Sequence, residues 1–303
     1  MEDLNGQVAI VTGGGRGVGR AIAQALAVAG ANVCVSSRTK AQLDETVALI
    51  EGAGGRAIAI AADVEQRAEV EAMCAEAERA LGPVSILVNN AGVGTTTAGP
   101  FETLDIDEVR KTIDNNLFSA MLCTRTILPA MLERGSGRII NVASGSGIVS
   151  QPYMNAYSVA KAGLVRFSEN LALEVKDRGV VVFAMTPGMV RTAATEVIWN
   201  IRHMNPMPGW LGRAYTPPHE NPADDTSWQP PERAAELVRF LASGAADRLS
   251  GRFFSAYYDE RAIVANADRV EREMLYTLRM PTLDGLERPF TPEEVAATNR
   301  GGN

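Results

Sequence analysis

Residues that bind metals or form disulfides are scarce here, with three cysteines and two histidines in 303 residues. Cys34, Cys74 and Cys123 are far apart and odd in number. This argues against a disulfide framework and for a reducing compartment, so we expect a cytoplasmic protein. His203 and His219 belong to no Cys/His cluster. A metal site is therefore not expected, and a Ser-His-Asp triad is poorly supported.

Positive charge and long apolar runs are scarce as well. Lys and Arg number 29 against 36 for Asp and Glu, which gives a formal net charge of −7. A surface of this sign offers no general attraction to nucleic acid or to an anionic membrane, so neither is an expected partner. The longest uncharged runs carry Gly, Ser, Asn and Pro, and the N-terminus lacks the features of a signal peptide. We therefore expect no membrane insertion.

What the sequence does contain is a regular alternation of strand-like and helix-like segments. β-Branched runs predict strands at Val8–Val11, Asn32–Ser37, Arg56–Ala62, Ser85–Val88, Arg138–Val142, Val180–Met185 and Gly251–Ala256. Helical spacing falls between them, most extensively at about 105–134 and 154–178. The alternation predicts an α/β fold, a Rossmann-type doubly wound parallel sheet of about seven strands flanked by helices, in one domain spanning residues 1–303.

A glycine-rich turn joins the first strand to the first helix within Gln7–Gly19, QVAIVTGGGRGVG. Glycines let the backbone approach an anion closely, and the amides at a helix N-terminus favour negative charge. A strand, a glycine turn and a helix in this order are typical of phosphate-binding βα units. The residues expected to line this phosphate site are Gly13, Arg16, Gly17, Val18 and Gly19.

The end of the second strand indicates which dinucleotide the chain binds. In dinucleotide folds an acidic residue about 20 positions after the glycines holds the adenosine ribose of NAD. Here Arg38 lies nineteen residues after Gly19 and follows Ser36 and Ser37, with no carboxylate. A guanidinium suits the additional 2′-phosphate of NADP, and Arg16 can approach the same group. We therefore expect NADP(H) as the cofactor, with Ser37 and both arginines beside it.

Tyr157 and Lys161 are four residues apart on a predicted helix, so their side chains share one face. An ammonium roughly 5 Å from a phenol, at an effective dielectric of about 20, favours the phenolate by about 3 kcal/mol, or about two pKa units. Tyr157 is then expected to exchange a proton near neutral pH. Ser144 lies thirteen residues upstream, just after a predicted strand, and adds weight to this pair.

These motifs together resemble the short-chain dehydrogenase/reductase family, over about residues 5–256. They are Thr12–Gly19, Asn89–Gly92, Ser144, Tyr157 with Lys161, and Pro187-Gly188. The resemblance implies that Tyr157 is the general acid/base that delivers a proton to a carbonyl oxygen, and that Ser144 hydrogen-bonds that oxygen. It also implies that Lys161 lowers the pKa of Tyr157 and holds the nicotinamide ribose hydroxyls.

For two of these catalytic roles, a nearby residue of the same type is an alternative candidate. The resemblance implies that Asn116 holds a water in the proton relay, while the adjacent Asn115 keeps a second assignment open. Ser146 competes with Ser144, but its spacing of eleven residues from Tyr157 fits the family less well than thirteen.

The resemblance extends to the rest of the cofactor site. It implies that Asp63 and Val64 contact the adenine, that Asn90 and Gly92 flank the cofactor, and that Asn89 is structural. The segment that binds the carboxamide and fixes the hydride-donating face is implied at Pro187, Gly188, Val190 and Thr192.

Two segments depart from the shortest family members: residues 193–229 and 257–303. The first is rich in proline and aromatics and has no clean period, so we interpret it as an ordered insert that covers the substrate. The alternative is an insert that only packs against the body or a partner subunit. The second is a C-terminal extension, predicted to be helical over 261–278 and frayed at its end.

The combined prediction is an NADP(H)-dependent oxidoreductase that acts on a carbonyl or secondary alcohol. A bulky hydrophobic ketone is favoured by the apolar character of the 193–229 insert and of Val149, Tyr153, Met154 and Met189. The alternatives are a non-catalytic NADPH-binding scaffold or sensor, and a nucleotide-sugar epimerase or dehydratase, whose glycine pattern differs. Because family members pair through the two long helices, we also expect a homo-oligomer, tetramer or dimer.

Overall fold

A parallel sheet of seven strands, in the order β3-β2-β1-β4-β5-β6-β7, forms the centre of the computed structural model. The structure describes residues 3–92, 97–191, 195 and 228–278. The strands are β1 (Val8–Thr12), β2 (Asn32–Ser37), β3 (Arg56–Ala61), β4 (Ile86–Asn89), β5 (Gly137–Val142), β6 (Val180–Thr186) and β7 (Phe253–Ser255). Every pairing between neighbours is parallel. The predicted Rossmann-type doubly wound sheet is confirmed.

Helices cover both faces of this sheet. They are α1 (Gly17–Val28), α2 (Lys40–Gly52), α3 (Arg67–Leu81), α4 (Ile106–Ile113), α5 (Ser119–Arg134), α6 (Asn155–Glu174), α7 (Pro231–Ala242), α8 (Glu260–Ala265) and α9 (Ala267–Arg272). Helices α1 and α7 pack together on one face, and α3 and α5 pack together on the other. Among the described helices, none is both long enough and apolar enough to cross a membrane.

Strand β1 shows why the apolar runs form the core. Its five residues are all buried. Because side chains alternate across a strand, Ala9 and Val11 join the hydrophobic cluster on one face while Val8 and Ile10 join the cluster on the other. Each large side chain buried in this way contributes about 1.5–3 kcal/mol. A run without polar residues is therefore what a strand covered on both faces requires.

The strand order reverses at β1, which lies between β2 and β4. At such a switch point the loops after adjacent strands diverge and leave a crevice at their carboxyl ends. Thr12, the last residue of β1, ties the two loops together, because its hydroxyl donates to Val88 O at 3.3 Å and accepts from the Asn90 amide at 3.0 Å. The functional site is expected at this edge.

The helical segment predicted at about 105–134 contains an irregularity that the sequence did not reveal. Helix α4 ends at Ile113, a π-helical turn occupies Asp114–Phe118, and α5 then continues. A π-turn inserts one extra residue into the helix and is frequent at functional sites. Here it contains Asn116.

The C-terminal extension differs from the single helix predicted over 261–278. It forms the two short helices α8 and α9, which meet at Asn266. Met274 and Tyr276 have positive φ angles of 50° and 57°, so the chain leaves the helix and returns to the sheet. There the Phe253 amide donates to Tyr276 O at 2.9 Å. Of the 193–229 insert, only residues 195, 228 and 229 lie within the described part of the chain.

Candidate active site

A cleft of about 590 Å³ runs along the carboxyl ends of the strands and collects most of the predicted site residues. Those that line it are Gly13, Arg16, Gly17, Val18, Gly19, Ser37, Arg38, Asp63, Val64, Asn90, Gly92, Asn116, Tyr157, Lys161, Pro187, Gly188 and Val190. Ser144 does not line the cleft itself but follows Ala143, which does. Thr192 lies outside the described residues. Further lining residues that sequence reasoning did not single out include Thr39, Gln42, Arg191 and Thr195.

The glycine turn leaves the N-terminus of α1 open toward this cleft. Arg16 is the N-cap residue of α1, and its side chain makes no capping hydrogen bond. The first amides of a helix have no partner within the helix, so they can bind an anion. Gly19 allows the turn to pack tightly, because a Cβ there would lie 2.2 Å from Gly13 O.

Two polar side chains support the glycine turn from behind. The Arg20 guanidinium donates to Gly15 O at 2.6 Å, and the Thr46 hydroxyl donates to Gly14 O at 3.1 Å. Arg20 also pairs with Glu45 at 2.8 Å. The sequence carried no distinct signal for the contacts of Thr46 and Glu45, because these residues lie on α2, far along the chain from the turn.

Arg16 and Arg38 are both exposed at the rim of the cleft. Within the described residues, neither forms an ion pair with a carboxylate, whereas Arg20 nearby does. Neutral Ser37, Thr39 and Gln42 line the same part of the cleft. An anion entering this end therefore meets two available guanidinium groups.

The loops after β3 and β4 form the next part of the wall. The Asp63 carboxylate accepts from the Glu65 amide at 3.1 Å, which shapes the turn before α3. The Asn90 side chain donates to Thr12 O at 2.9 Å and so holds its loop against β1. Asn89 does not line the cleft; it is buried and donates to Asn141 Oδ1 at 2.8 Å.

Tyr157 and Lys161 face the far part of the cleft from the first turns of α6. Tyr157 is half-buried, and the Lys161 ammonium lies 5.6 Å from the centroid of its ring. Lys161 is 4 % exposed and donates to Val142 O at 3.0 Å. Burial lowers the pKa of Lys161 to about 8, because removal from water disfavours the charged form. At neutral pH the side chain therefore still carries its charge beside the phenol.

Ser144 heads a short helical turn, Gly145–Gly147, at the end of β5. Its hydroxyl oxygen accepts from the Ser146 amide at 3.2 Å and lies 3.3 Å from Ser146 Oγ. The competing Ser146 is buried, and its hydroxyl donates to Gln151 Oε1 at 2.6 Å. Ser144 is only half-buried and so is the more accessible of the two hydroxyls.

Asn115 and Asn116 are both buried in the π-turn but have different surroundings. Asn115 donates to Glu65 Oε1 at 2.6 Å, outside the helix. Asn116 donates to Thr112 O at 3.0 Å, and its Oδ1 lies 2.7 Å from where a Cβ on Gly92 would stand. The same Cβ position is 3.6 Å from Lys161 Nζ, so Asn116 is the asparagine beside the lysine.

The segment after β6 is held by residues that come later in the chain. The Met189 amide donates to Tyr257 Oη at 2.8 Å, and the Gln229 amide donates to Met189 O at 2.8 Å. Val190 and Gln229 form a parallel β-bridge. The chain before the insert and the last residue of the insert are thereby held together near Gly188, and Tyr257, the first residue of the C-terminal extension, supports this segment.

The residues present fit a nicotinamide dinucleotide. The open end of α1 and the two arginines, which have no carboxylate partner in the described part of the chain, suit phosphates. The absence of a side chain at Gly92 leaves room beside Asn116 and Lys161. In the described part of the chain, no three His, Cys, Asp or Glu side chains converge in a way that could hold a metal ion.

Comparison with known proteins agrees with this geometry. The family model for the short chain dehydrogenase matches residues 7–202. A 3-oxoacyl-[acyl-carrier-protein] reductase of Synechocystis sp. is 35% identical over 257 residues, which cover 84% of this chain and 97% of the relative. A ketoacyl reductase of Nostoc sp. is 38% identical over 197 residues, which cover 65% of this chain and 68% of the relative.

Solved structures show the same fold. A 7α-hydroxysteroid dehydrogenase, in complex with NADH and 7-oxo glycochenodeoxycholic acid, superposes with a TM-score of 0.72. It is 28% identical and is aligned over 84% of this chain and 93% of its own. Family model, relatives and fold agree, and the chain belongs to the short-chain dehydrogenase/reductase family, oxidoreductases that act on CH–OH and C=O groups with a nicotinamide cofactor.

Proposed function

We propose that this protein is an NADP(H)-dependent oxidoreductase that interconverts a ketone and a secondary alcohol, with Tyr157 as the general acid/base. The observation that carries the proposal is the pairing of Tyr157 with buried Lys161 on α6, in the cleft that also exposes Arg16 and Arg38. The bound nicotinamide supplies or accepts the hydride. The protein positions both partners and moves the proton.

The proton is handled by four side chains in this scheme. Tyr157 delivers it to the substrate oxygen during reduction, and the Ser144 hydroxyl donates a hydrogen bond to that oxygen as negative charge develops. Asn116 holds the water that resupplies the proton. Lys161 favours the phenolate through its charge.

Lys161 is also proposed to bind the nicotinamide ribose. An ammonium group has three N–H donors, and one of them is directed to Val142 O. The other two are available to hold ribose hydroxyls next to Tyr157. We assign the remaining predicted residues, from the glycine turn to Val190 and Thr192, to the cofactor.

The preference for NADP(H) rests on charge. The 2′-phosphate of NADP carries negative charge that a carboxylate would repel, and β2 ends in serines instead. Arg38 and Arg16 are exposed and free of ion pairs within the described residues, so binding a phosphate does not require breaking an existing pair.

A bulky, hydrophobic ketone is the proposed substrate. Val149, Tyr153 and Met189 are half-buried in the segments that follow β5 and β6, whereas Met154 is 1 % exposed and packs inside the protein. The relatives named above include a ketoacyl reductase, a 3-oxoacyl-[acyl-carrier-protein] reductase and a dehydrogenase in complex with 7-oxo glycochenodeoxycholic acid, and all three names refer to keto or oxo compounds. The 193–229 insert is proposed to cover this substrate.

Homo-oligomerisation and a cytoplasmic location complete the proposal. Phe118, Val159 and Leu173 are 55%, 57% and 74% exposed on the α5–α6 side of the molecule, which suits pairing of copies. The three cysteines are free and buried, which suits a reducing compartment.

The test is a panel of ketones with NADPH or NADH as the donor, measured alongside cofactor affinity. Oxidation of NADPH with hydrophobic ketones, lost in Tyr157→Phe, supports the proposal. Tight NADPH binding without turnover on any ketone would favour a scaffold or sensor, and turnover restricted to nucleotide sugars would favour an epimerase or dehydratase.

A further inference from the structure

The π-turn that carries Asn116 is attached to a distant loop by one side chain. Asn115, 7 % exposed, donates from Nδ2 to Glu65 Oε1 at 2.6 Å, a contact across fifty residues of sequence. A second bond of Asn115 is local, since its carbonyl accepts from the Ser119 hydroxyl at 2.5 Å within the same helical segment. Glu65 therefore provides a tether from outside the helix.

Glu65 belongs to the loop at the adenine end of the cleft. Its backbone amide donates to the Asp63 carboxylate at 3.1 Å, and both Asp63 and Val64 line the cleft. Asn115 and Asn116 line the cleft from the other side. A single residue thus joins the wall that receives the adenine to the wall that presents Asn116.

The tether matters because a π-turn is less stable than a regular helix. An α-helix advances about 100° per residue, so losing the extra residue would rotate the side chains that follow by about that angle. Asn116 now lies against Gly92 and close to Lys161. A rotation of this size would carry its amide away from both.

We propose that Glu65 is a positioning residue that holds the π-turn in register and thereby links the adenine loop to the proton relay. The proposal rests on the role given to Asn116 above. It assigns Glu65 no contact with substrate or cofactor. Its effect is therefore expected on turnover rather than on cofactor affinity.

The first test substitutes Glu65 and measures kcat and NADPH affinity separately. Glu65→Ala is expected to lower kcat at saturating NADPH about tenfold or more, because a hydrogen bond to a charged group is lost. The Kd for NADPH should change less than about threefold. Glu65→Gln keeps an oxygen acceptor for Asn115 and is expected to restore kcat to within about threefold of wild type.

Glu69, in the first turn of α3, offers a matched control because it also supports the loop that contains Asp63. Its carboxylate accepts from the Asp63 amide at 2.8 Å, so it supports the adenine loop without contacting the π-turn. Glu69→Ala is expected to weaken NADPH binding while leaving kcat within about twofold. If Glu65→Ala and Glu69→Ala gave the same pattern, Glu65 would be a general support of the loop and the proposal would be wrong.

A second variant tests the tether from its other end. Asn115→Leu should reproduce the kcat loss, and the double variant with Glu65→Ala should be no worse than either single change, because both remove one bond. Independent, multiplying losses would contradict the tether. If Asn115→Leu proves too unstable to assay, the kcat values of Glu65→Ala and Glu65→Gln still decide the matter.

Hydrogen–deuterium exchange gives a readout without turnover. In the cofactor-free protein, Glu65→Ala should raise exchange of the amides in residues 112–119, and Glu69→Ala should not. Unchanged exchange in Glu65→Ala would overturn the proposal. If Tyr157→Phe instead kept full activity while exchange behaved as expected, the proposed chemistry would fail and the structural tether would stand.

Discussion

At the proposed phosphate end of the cleft lie the N-terminus of α1 and two exposed arginines, whereas the proposed catalytic end contains the buried side chains of Lys161 and Asn116. Arg16 and Arg38 are exposed to solvent, while Lys161 is 4 % exposed and Asn116 is 2 % exposed. Exposed charges are screened and tolerate small displacements. Buried groups lose their function after a small displacement. The two ends should therefore respond to substitution in different parameters, namely cofactor affinity and turnover.

The largest effect is expected at the catalytic end. Tyr157→Phe removes the proton donor and should lower kcat about a thousandfold, within the range for loss of general acid–base catalysis. The Kd for NADPH, measured by fluorescence titration, should stay within about threefold of wild type. Retained turnover would show that another group delivers the proton.

The phosphate end should respond through affinity. Arg38→Ala removes a charge-assisted contact and should raise the Kd for NADPH about tenfold to a hundredfold, and the Kd for NADH less than about threefold. The difference should shrink as salt is raised from 50 to 500 mM, since the site is exposed. Arg125→Ala, on the exposed surface of α5, is the control and should change neither the Kd for NADPH nor the Kd for NADH. Equal weakening of both cofactors would exclude a 2′-phosphate contact.

The pH dependence of the free energy of unfolding tests whether Lys161, at the catalytic end, is buried as the structure shows. The folded-state pKa of Lys161 is about 8, below the unfolded value, so above pH 8 the unfolded state binds more protons and this residue makes stability rise with pH. From pH 7.5 to 9, the free energy of unfolding of the cofactor-free protein should rise by about 1 kcal/mol more in wild type than in Lys161→Met. Denaturant titrations at both pH values measure this. Parallel pH profiles would mean that Lys161 is not desolvated.

The smallest effect on kcat is expected from Gln151, which holds Ser146 beside Ser144. Gln151→Leu removes the acceptor of the Ser146 hydroxyl, which leaves that hydroxyl free to donate to Ser144 Oγ, 3.3 Å away, and so to reorient the Ser144 hydroxyl. We expect kcat to fall several-fold, equivalent to roughly 1 kcal/mol, with unchanged NADPH affinity. Ser150→Ala in the same loop is the control. A change in cofactor affinity instead would place Gln151 outside the catalytic end.

The sequence predicted the scaffold well because its signals are local. Apolar β-branched runs set the strands, as in β2, whose observed bounds match the prediction at both ends. The glycine turn and the spacing of Tyr157 and Lys161 depend only on neighbours along one element. Ser144 and Asn116 required the family resemblance as well, because a lone serine or asparagine has no distinctive spacing.

The features that the sequence missed are contacts between distant segments. The amino-acid composition of residues 114–118 does not distinguish a π-turn from a regular helix. Its contact with Glu65 comes from a loop fifty residues earlier in the chain, which local patterns do not reveal. Tyr257 supports the Gly188 segment from beyond the last strand. The extension was predicted to be helical over 261–278, but it forms two short helices that meet at Asn266, and its end pairs with Phe253 of β7 through the Tyr276 carbonyl.

A crystal structure with NADP(H) bound is the most direct test of the central claim. We predict that the 2′-phosphate lies between Arg16 and Arg38 and that the nicotinamide lies beside the Tyr157 hydroxyl, with its ribose on Lys161. A fully occupied complex in which the nicotinamide is remote from Tyr157 would contradict the account.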